Sequence, residues 1–511
     1  MEENSSSNNT IAKNTIILYV RMVFTMLVSL YTTRVFLDAL GVIDYGIYNV
    51  VGGFVAMFGL MSGSLSAAIS RFITYELGAG NKEKLKTVFS SSVTIQAGLA
   101  ILIILLVEAI GIWFVNNKMI IPEERLVAAN WVLQISAITF GINLISVPYN
   151  AAIIAHEKMG AFAFFAILES LLKLAICFAI VAVSCDRLIF YAFLLGAVAL
   201  FIRLLYGIYC KRHFEECTYH FTFDREVLNN MFAFAGWNMF GSGSAVLREQ
   251  GVNVLLNLYF GAAINSARSV AQQVSGAVVQ LANNIMTAVN PQITKNYAIG
   301  NMEYTMRLVF IGARFTMYLL LLMAIPLLCE TEMVLSLWLH EVPEYTVVFV
   351  RLVLVYLMVE AVSYSMVTLM LATGDIKKYQ ILVGGCQLLN FPLAWIVLAL
   401  GYGPEYTVVV SIVVATACMI LRLYMLNDMV GFPVRDFMKE VYVNVWAVLL
   451  VALPLPLIIH YILDLGVSRL LIVCVVSVLT TGLSILYIGC NNRERMMFVS
   501  KVQSIIKRFK R

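Results

Sequence analysis

The sequence predicts an all-α polytopic membrane protein with about 14 transmembrane helices, in two pseudo-symmetric six-helix lobes plus two extra C-terminal helices. Three observations predict it. The 511 residues are 61% hydrophobic and only 13% charged, whereas a soluble domain is about half apolar and about a quarter charged. The apolar residues fall in runs near the ~20 residues that a helix needs to span a bilayer. Short motifs recur at a fixed offset between the first and second parts of the chain.

The elements follow in order. The polar opening MEENSSSNNTIAKN leads straight into a full-length span, which argues against a cleavable signal peptide. Spans at 15–40, 45–75, 86–115, 126–154, 160–183 and 188–209 make the first group of six. Those at 227–260, 263–293, 306–329, 345–372, 379–399 and 405–427 make the second. Two more lie at 441–462 and 467–489. The expected division is an N-lobe over 1–220, a C-lobe over 221–430, and the last two helices with a basic tail over 431–511. Connections are short and leave no extramembrane domain. The nine cysteines are scattered singly, with no CxxC pair and no His/Cys cluster, so no disulfide framework or metal site is expected.

Basic residues set the orientation. Lys82, Lys84, Lys86, Lys158, Lys211, Arg212, Lys295, Lys377 and Lys378 fall in one set of loops, with Lys13 and the tail NNRERMMFVSKVQSIIKRFKR on the same side. The opposite loops offer Lys118, Arg125, Arg187 and Arg469. Both termini are therefore expected in the cytoplasm, with the tail a plain positive-inside anchor or a ligand for anionic lipid.

The repeat is carried by ITYELGAGN (Ile73 to Asn81) and ITKNYAIGN (Ile293 to Asn301), which share I-T-x5-G-N at an offset of 220. A weaker echo links AAIIAHEKM to LMLATGDIKK. Six spans return the chain to its starting side, so the copies are parallel, the kind of transporter repeat that places a substrate site where the halves meet.

Several charges lie inside the spans, where each costs ~2.5–3.5 kcal/mol at a helix centre. Arg203 and Arg422, near helix ends, are read as snorkelling. Arg71, in a repeat motif, is read as either snorkelling or functional. Glu169 and Lys173 have the spacing of a helical ion pair. Arg34 and Asp38 share that spacing and form either a gate or a structural pair. Glu108 and Glu360 are isolated acids, each either neutral and satisfied or carrying a coupling proton.

Arg248 and Glu249, in SAVLREQGVNVLL, stand ~100° apart on a helix and cannot neutralise one another. Glu249 shares its face with Asn238, Ser242, Asn253 and Asn257. In the next span Asn265, Arg268, Gln272, Ser275, Asn283, Thr287 and Asn290 recur at steps of three or four. Such stripes are too costly to face lipid. They predict a basic, water-filled cavity in which the planar guanidinium forks of Arg248 and Arg268, with Arg34 or Arg71, grip phosphate oxygens. The expected lining is Arg248, Arg268, Arg34, Arg71, Asn265, Gln272 and Asn283. The candidates for coupling an ion are Glu249, Asp38 and Glu360. No HExxH, GxSxG or P-loop is present, so an enzyme is not expected.

RVFLDALGVIDYGIYNVVGG, ISRFITYELGAGNKEKLKTVFS, VPYNAAIIAHEKM and NSARSVAQQVSGAVVQ resemble the Wzx-type polysaccharide flippases of the MOP superfamily, to which the MATE exporters and the lipid II flippase also belong. The resemblance covers about residues 12–430. It implies a MATE-like V of two alternating lobes in a bacterial inner membrane. It implies a cargo of undecaprenyl-diphosphate-linked oligosaccharide moved to the periplasmic leaflet. It implies a proton or sodium gradient as the drive, with no cofactor. Arg268 is similar in placement to a cavity arginine of the lipid II flippase's eighth helix, but the arginine of that family's second helix is missing from IYNVVGG. Membrane lipids and a glycan polymerase or ligase are the further partners implied, and nucleic acid is not. A MATE-like cation-coupled drug exporter and a lipid II flippase are the alternatives; a membrane glycosyltransferase would want a long outer loop that the chain lacks.

Overall fold

The computed structural model describes residues 2–56, 58–117, 121–181, 183, 186–220, 224–260, 262–339, 342–492 and 494–496, with some side chains inside these ranges also outside the description. Among the described residues the secondary structure is helical, without a strand. Fourteen long helices account for most of it: α1 (Glu2–Ala56), α2 (Gly59–Ala79), α3 (Lys82–Asn117), α4 (Glu123–Ala155), α5 (Met159–Val181), α6 (Arg187–His213), α7 (Arg225–Phe260), α8 (Ala262–Ala298), α9 (Met302–Cys329), α10 (Thr346–Thr373), α11 (Lys377–Ala399), α12 (Tyr406–Val430), α13 (Val434–Ile462) and α14 (Val467–Gly489), with a short helix at Thr331–Trp338 between α9 and α10. Ten of them, α3–α6 and α9–α14, are long and apolar enough to cross a membrane. Helices α7 and α8 fall outside that measure because of the amides and charges that the sequence places along them.

From the third helix onward the expected spans fit within five residues at either end, except that α13 starts at Val434, seven residues before the expected 441. The first two do not. Helix α1 runs unbroken past the expected gap at 41–44 and ends at Ala56. Neither Gly41 nor Gly46 ends it, since a single glycine costs only ~1 kcal/mol in a helix.

The repeat motif is a helix-ending device. Gly80 and Gly300 occupy equivalent places in the two copies and take left-handed φ angles of 74° and 76°. Glycine does this without the Cβ penalty, which lets it terminate a helix. In the first copy Asn81 then caps α3 by accepting from the Lys84 amide at 3.1 Å. The weaker echo follows the same logic, with left-handed backbone at Glu157 (φ 59°) and Gly374 (φ 82°).

The chain forms two compact units. One comprises 1–242 and 287–301, the other 243–286 and 302–511. The first is cored by α3, α4 and α6 around residues such as Ile103, Val107, Leu133 and Leu144, all at most 1% exposed. On its far side Arg125 donates to both Asp44 and Asp186, with the Asp186 contact at 2.7 Å. Asp186 also caps α6, accepting from the amides of Leu188 and Ile189 at 3.0 and 3.2 Å. The expected helical ion pair Glu169–Lys173 is present at 2.6 Å.

In the second unit α9 is the central helix and packs against α10, α13 and α14. The end of α14 and the residues just after it are tied to α9 by polar contacts: Tyr318 Oη donates to the Gly489 carbonyl at 2.9 Å, and Arg314 pairs with Glu494.

Candidate functional site

The polar stripes of α7 and α8 face each other inside the second unit. Arg268 Nε donates to Asn253 Oδ1 at 2.8 Å, and Gln272 Nε2 lies 3.4 Å from Glu249 Oε1. Residues 249 and 253 are one turn apart on α7, as 268 and 272 are on α8. The two contacts are therefore successive rungs of an antiparallel pair, which the sequence spacing alone makes possible.

Arg268 is 8% exposed, while Glu249 is exposed and Arg248 half-buried. The Arg248 guanidinium lies 5.4 Å from the centroid of the Tyr356 ring on α10. Arg268 is within Coulomb reach of both Glu249 and Arg248. Among the described residues no carboxylate comes within ion-pair distance of either arginine. This answers how adjacent charges are housed in an apolar segment. Each turns to a different neighbour, Glu249 to an amide and Arg248 to an aromatic face, where cation–π attraction is worth ~0.5–2 kcal/mol.

One turn along α10 from Tyr356 stands Glu360, whose Oε1 lies 3.5 Å from Arg422 Nη2 on α12. Arg422 is 2% exposed. The snorkelling expected of Arg422 is thereby overturned: its guanidinium is buried beside a carboxylate of the neighbouring helix, ~12 Å of helix rise from the end of α12. Arg203, also expected to snorkel, lies over the Tyr149 ring at 3.8 Å.

The remaining predicted residues distribute as follows. Arg71 belongs to the first unit, its guanidinium 4.6 and 4.7 Å from the ring centroids of Phe72 and Tyr75 and 5.9 Å from that of Phe234. Asn283 is exposed on α8, fifteen residues beyond Arg268 and so ~22 Å further along the helix. The side chains of Arg34, Asp38 and Asn265 lie outside the described residues. The structure thus brings together Arg248, Glu249, Arg268 and Gln272, with Glu360 one aromatic ring away, and does not bring Asn283 to them. Sequence reasoning missed Tyr356. Its spacing of four from Glu360 was the available signal, hidden in a helix that is otherwise aliphatic.

A sequence profile described as polysaccharide biosynthesis protein matches residues 11–297, more than half of the chain. No curated protein matches by sequence. Among solved structures, the chain is similar to an outward-facing multidrug-resistance MATE transporter of the MOP superfamily, at 13% identity and TM-score 0.72, covering 83% of this chain and 97% of that one. It is similar also to a MATE transporter in the bent conformation, at 14% identity and TM-score 0.71 over 83% and 96% of the two chains. A third is a MOP-superfamily transporter from Pyrococcus furiosus, described as having a binding pocket of reverse polarity, at 14% identity and TM-score 0.69 over 81% and 94%. These likenesses establish the fold. The chain belongs to the polysaccharide biosynthesis protein family and is a multi-pass membrane protein whose fold is similar to that of the MATE transporters.

Proposed function

We propose that the protein is a flippase that carries undecaprenyl-diphosphate-linked oligosaccharide from the cytoplasmic to the periplasmic leaflet of a bacterial inner membrane, with both termini in the cytoplasm. The observation that carries the reading is the pairing of α7 with α8, in which Arg268 lies within Coulomb reach of both Glu249 and Arg248 and neither arginine has a described carboxylate at ion-pair distance. Two such guanidinium groups suit the two phosphates of a diphosphate, since each fork can engage a phosphate bidentately. Gln272, which reaches Glu249 across the same pair of helices, completes the proposed lining within the second unit. Membrane lipid surrounds the polyprenyl tail, and a glycan polymerase or ligase takes up the product.

Coupling to a proton or sodium gradient is assigned to Glu249, with Glu360 and Asp38 as the other candidates. A cation at one of these carboxylates shifts the conformational equilibrium only by its difference in affinity for the two states. The alternative, an exporter of cationic drugs, calls for an acidic site, and the α7–α8 arginines argue against it.

Arg248→Ala and Arg268→Ala should each lower glycan export roughly 10- to 100-fold, the worth of one hydrogen bond to a charged group at ~1.5–3 kcal/mol. Arg268→Lys should lie between these variants and the parent, because lysine keeps the charge but not the fork. The measurement is surface glycan in a flippase-null strain, with membrane insertion monitored alongside. Full complementation by both alanine variants would remove the proposal.

A further inference from the structure

Three motifs that stand out in the sequence, ITYELGAGN, AAIIAHEKM and ITKNYAIGN, converge at one end of the first unit. Glu157, between α4 and α5, holds a left-handed φ of 59°. A side chain with a Cβ adopts that region only where its surroundings hold it there. Here they do. Glu157 Oε1 accepts from Lys295 Nζ at 2.6 Å, and its Oε2 accepts from the Gln292 amide. The Glu157 carbonyl lies 3.3 Å from Asn14 Nδ2 on α1. Lys295 in turn presses on α2: a Cβ at Gly78 would stand 2.7 Å from Lys295 Cα and 2.9 Å from its carbonyl oxygen. Beneath these contacts Leu18, Met159 and Ala288 form a small buried apolar cluster.

Only the last turns of α8 take part. Residues up to Met286 belong to the second unit, and Thr287–Asn301 to the first. The attachment is therefore local to one end of a helix that both units share. We infer that Glu157 and Lys295 form a latch, made and broken during transport, that fastens the end of α8 to α1, α2 and the α4–α5 turn. The inference rests on the transport reading above, under which this end faces the cytoplasm. Two features suit a releasable contact rather than a permanent weld. The paired side chains are 13% and 22% exposed, so water can take over their charges. The left-handed backbone of Glu157 adds local strain at the contact, which favours release.

The test is maleimide labelling of a reporter, Ala288→Cys, in membranes of the full-length protein without added cargo. Ala288 is 1% exposed, so labelling reports opening of the cluster below the latch. In that background Glu157→Gln and Lys295→Gln should each raise the labelling rate roughly fivefold, the scale of one partly screened ion pair. Lys295→Arg, which keeps the pair, should label at the parental rate, and the exchange Glu157→Lys with Lys295→Glu should return most of the protection. Unchanged labelling in both glutamine variants overturns the latch, and so does an exchange variant that labels as fast as they do. Labelling is read without transport, so a failure to export any lipid-linked glycan would strike the proposed function and leave this result standing.

Discussion

Arg469 donates through both Nε and Nη2 to a single oxygen of Glu330, Oε2, at 3.2 and 3.0 Å. The other oxygen lies 2.8 Å from His460 Nδ1. The Glu330 side chain is fully buried. One carboxylate at the end of α9 thus holds the end of α13 and the start of α14 together.

The cluster makes an asymmetric prediction. Glu330→Ala leaves a buried guanidinium without its partner, which costs ~3–5 kcal/mol, whereas removing both charges in favour of apolar groups of like volume is close to neutral. In detergent the melting temperature of Glu330→Ala should fall well below that of the double variant Glu330→Met with Arg469→Met. Equal melting temperatures would show that the pair does not clamp these helices.

The glycines of the repeat motif make a second. Gly80→Ala forces a Cβ into left-handed backbone and should cost ~1 kcal/mol. Gly78→Ala should cost more, ~1–3 kcal/mol, because the added methyl meets Lys295 backbone rather than a yielding side chain. Gly98→Ala, on an open face of α3, should be neutral or slightly stabilising. A thermal-shift series with all three variants at the same stability would contradict the assignment.

A third prediction concerns pH. Glu216 lies in the connection between α6 and α7, its Oε1 2.5 Å from His156 Nε2, and His156 is stacked on Phe214 with ring centroids 4.0 Å apart. Burial pushes the Glu216 carboxyl pKa up, but the hydrogen bond with His156 and those to backbone outweigh it, and the net shift is downward. A carboxylate whose pKa is lower folded than unfolded adds stability above the unfolded value of ~4.3, and that contribution disappears as pH falls through the folded value. Glu216→Gln should therefore be less stable than the parent at pH 7, with the gap closing as pH drops below about 4. A gap that is constant down to pH 3, measured by melting in detergent, would refute it.

How much was legible depends on how local the signal is. Twelve of the fourteen spans can be read because roughly 20 consecutive apolar residues state their own length. The break between α1 and α2 cannot, since the glycines of GVIDYG signal a turn no more strongly than they permit a helix. The site divides in the same way. That Glu249 and Asn253 share a face, as do Arg268 and Gln272, follows from the helical repeat. That these two faces meet, that Tyr356 sits under Arg248, and that Arg422 turns inward to Glu360 are matters of neighbouring helices.

Alone, the sequence determined that this chain is a bundle of membrane helices carrying costly polar stripes, because hydrocarbon penalises each charge and amide one residue at a time. Only the tertiary structure decided which partner relieves each of them. Asn253 takes Arg268, Glu360 takes Arg422, Glu157 takes Lys295 and Glu330 takes Arg469. The reason is distance: Coulomb and hydrogen-bond energies act over a few ångströms, and residues 138 or 139 positions apart, like the last two pairs, come that close only when helices pack.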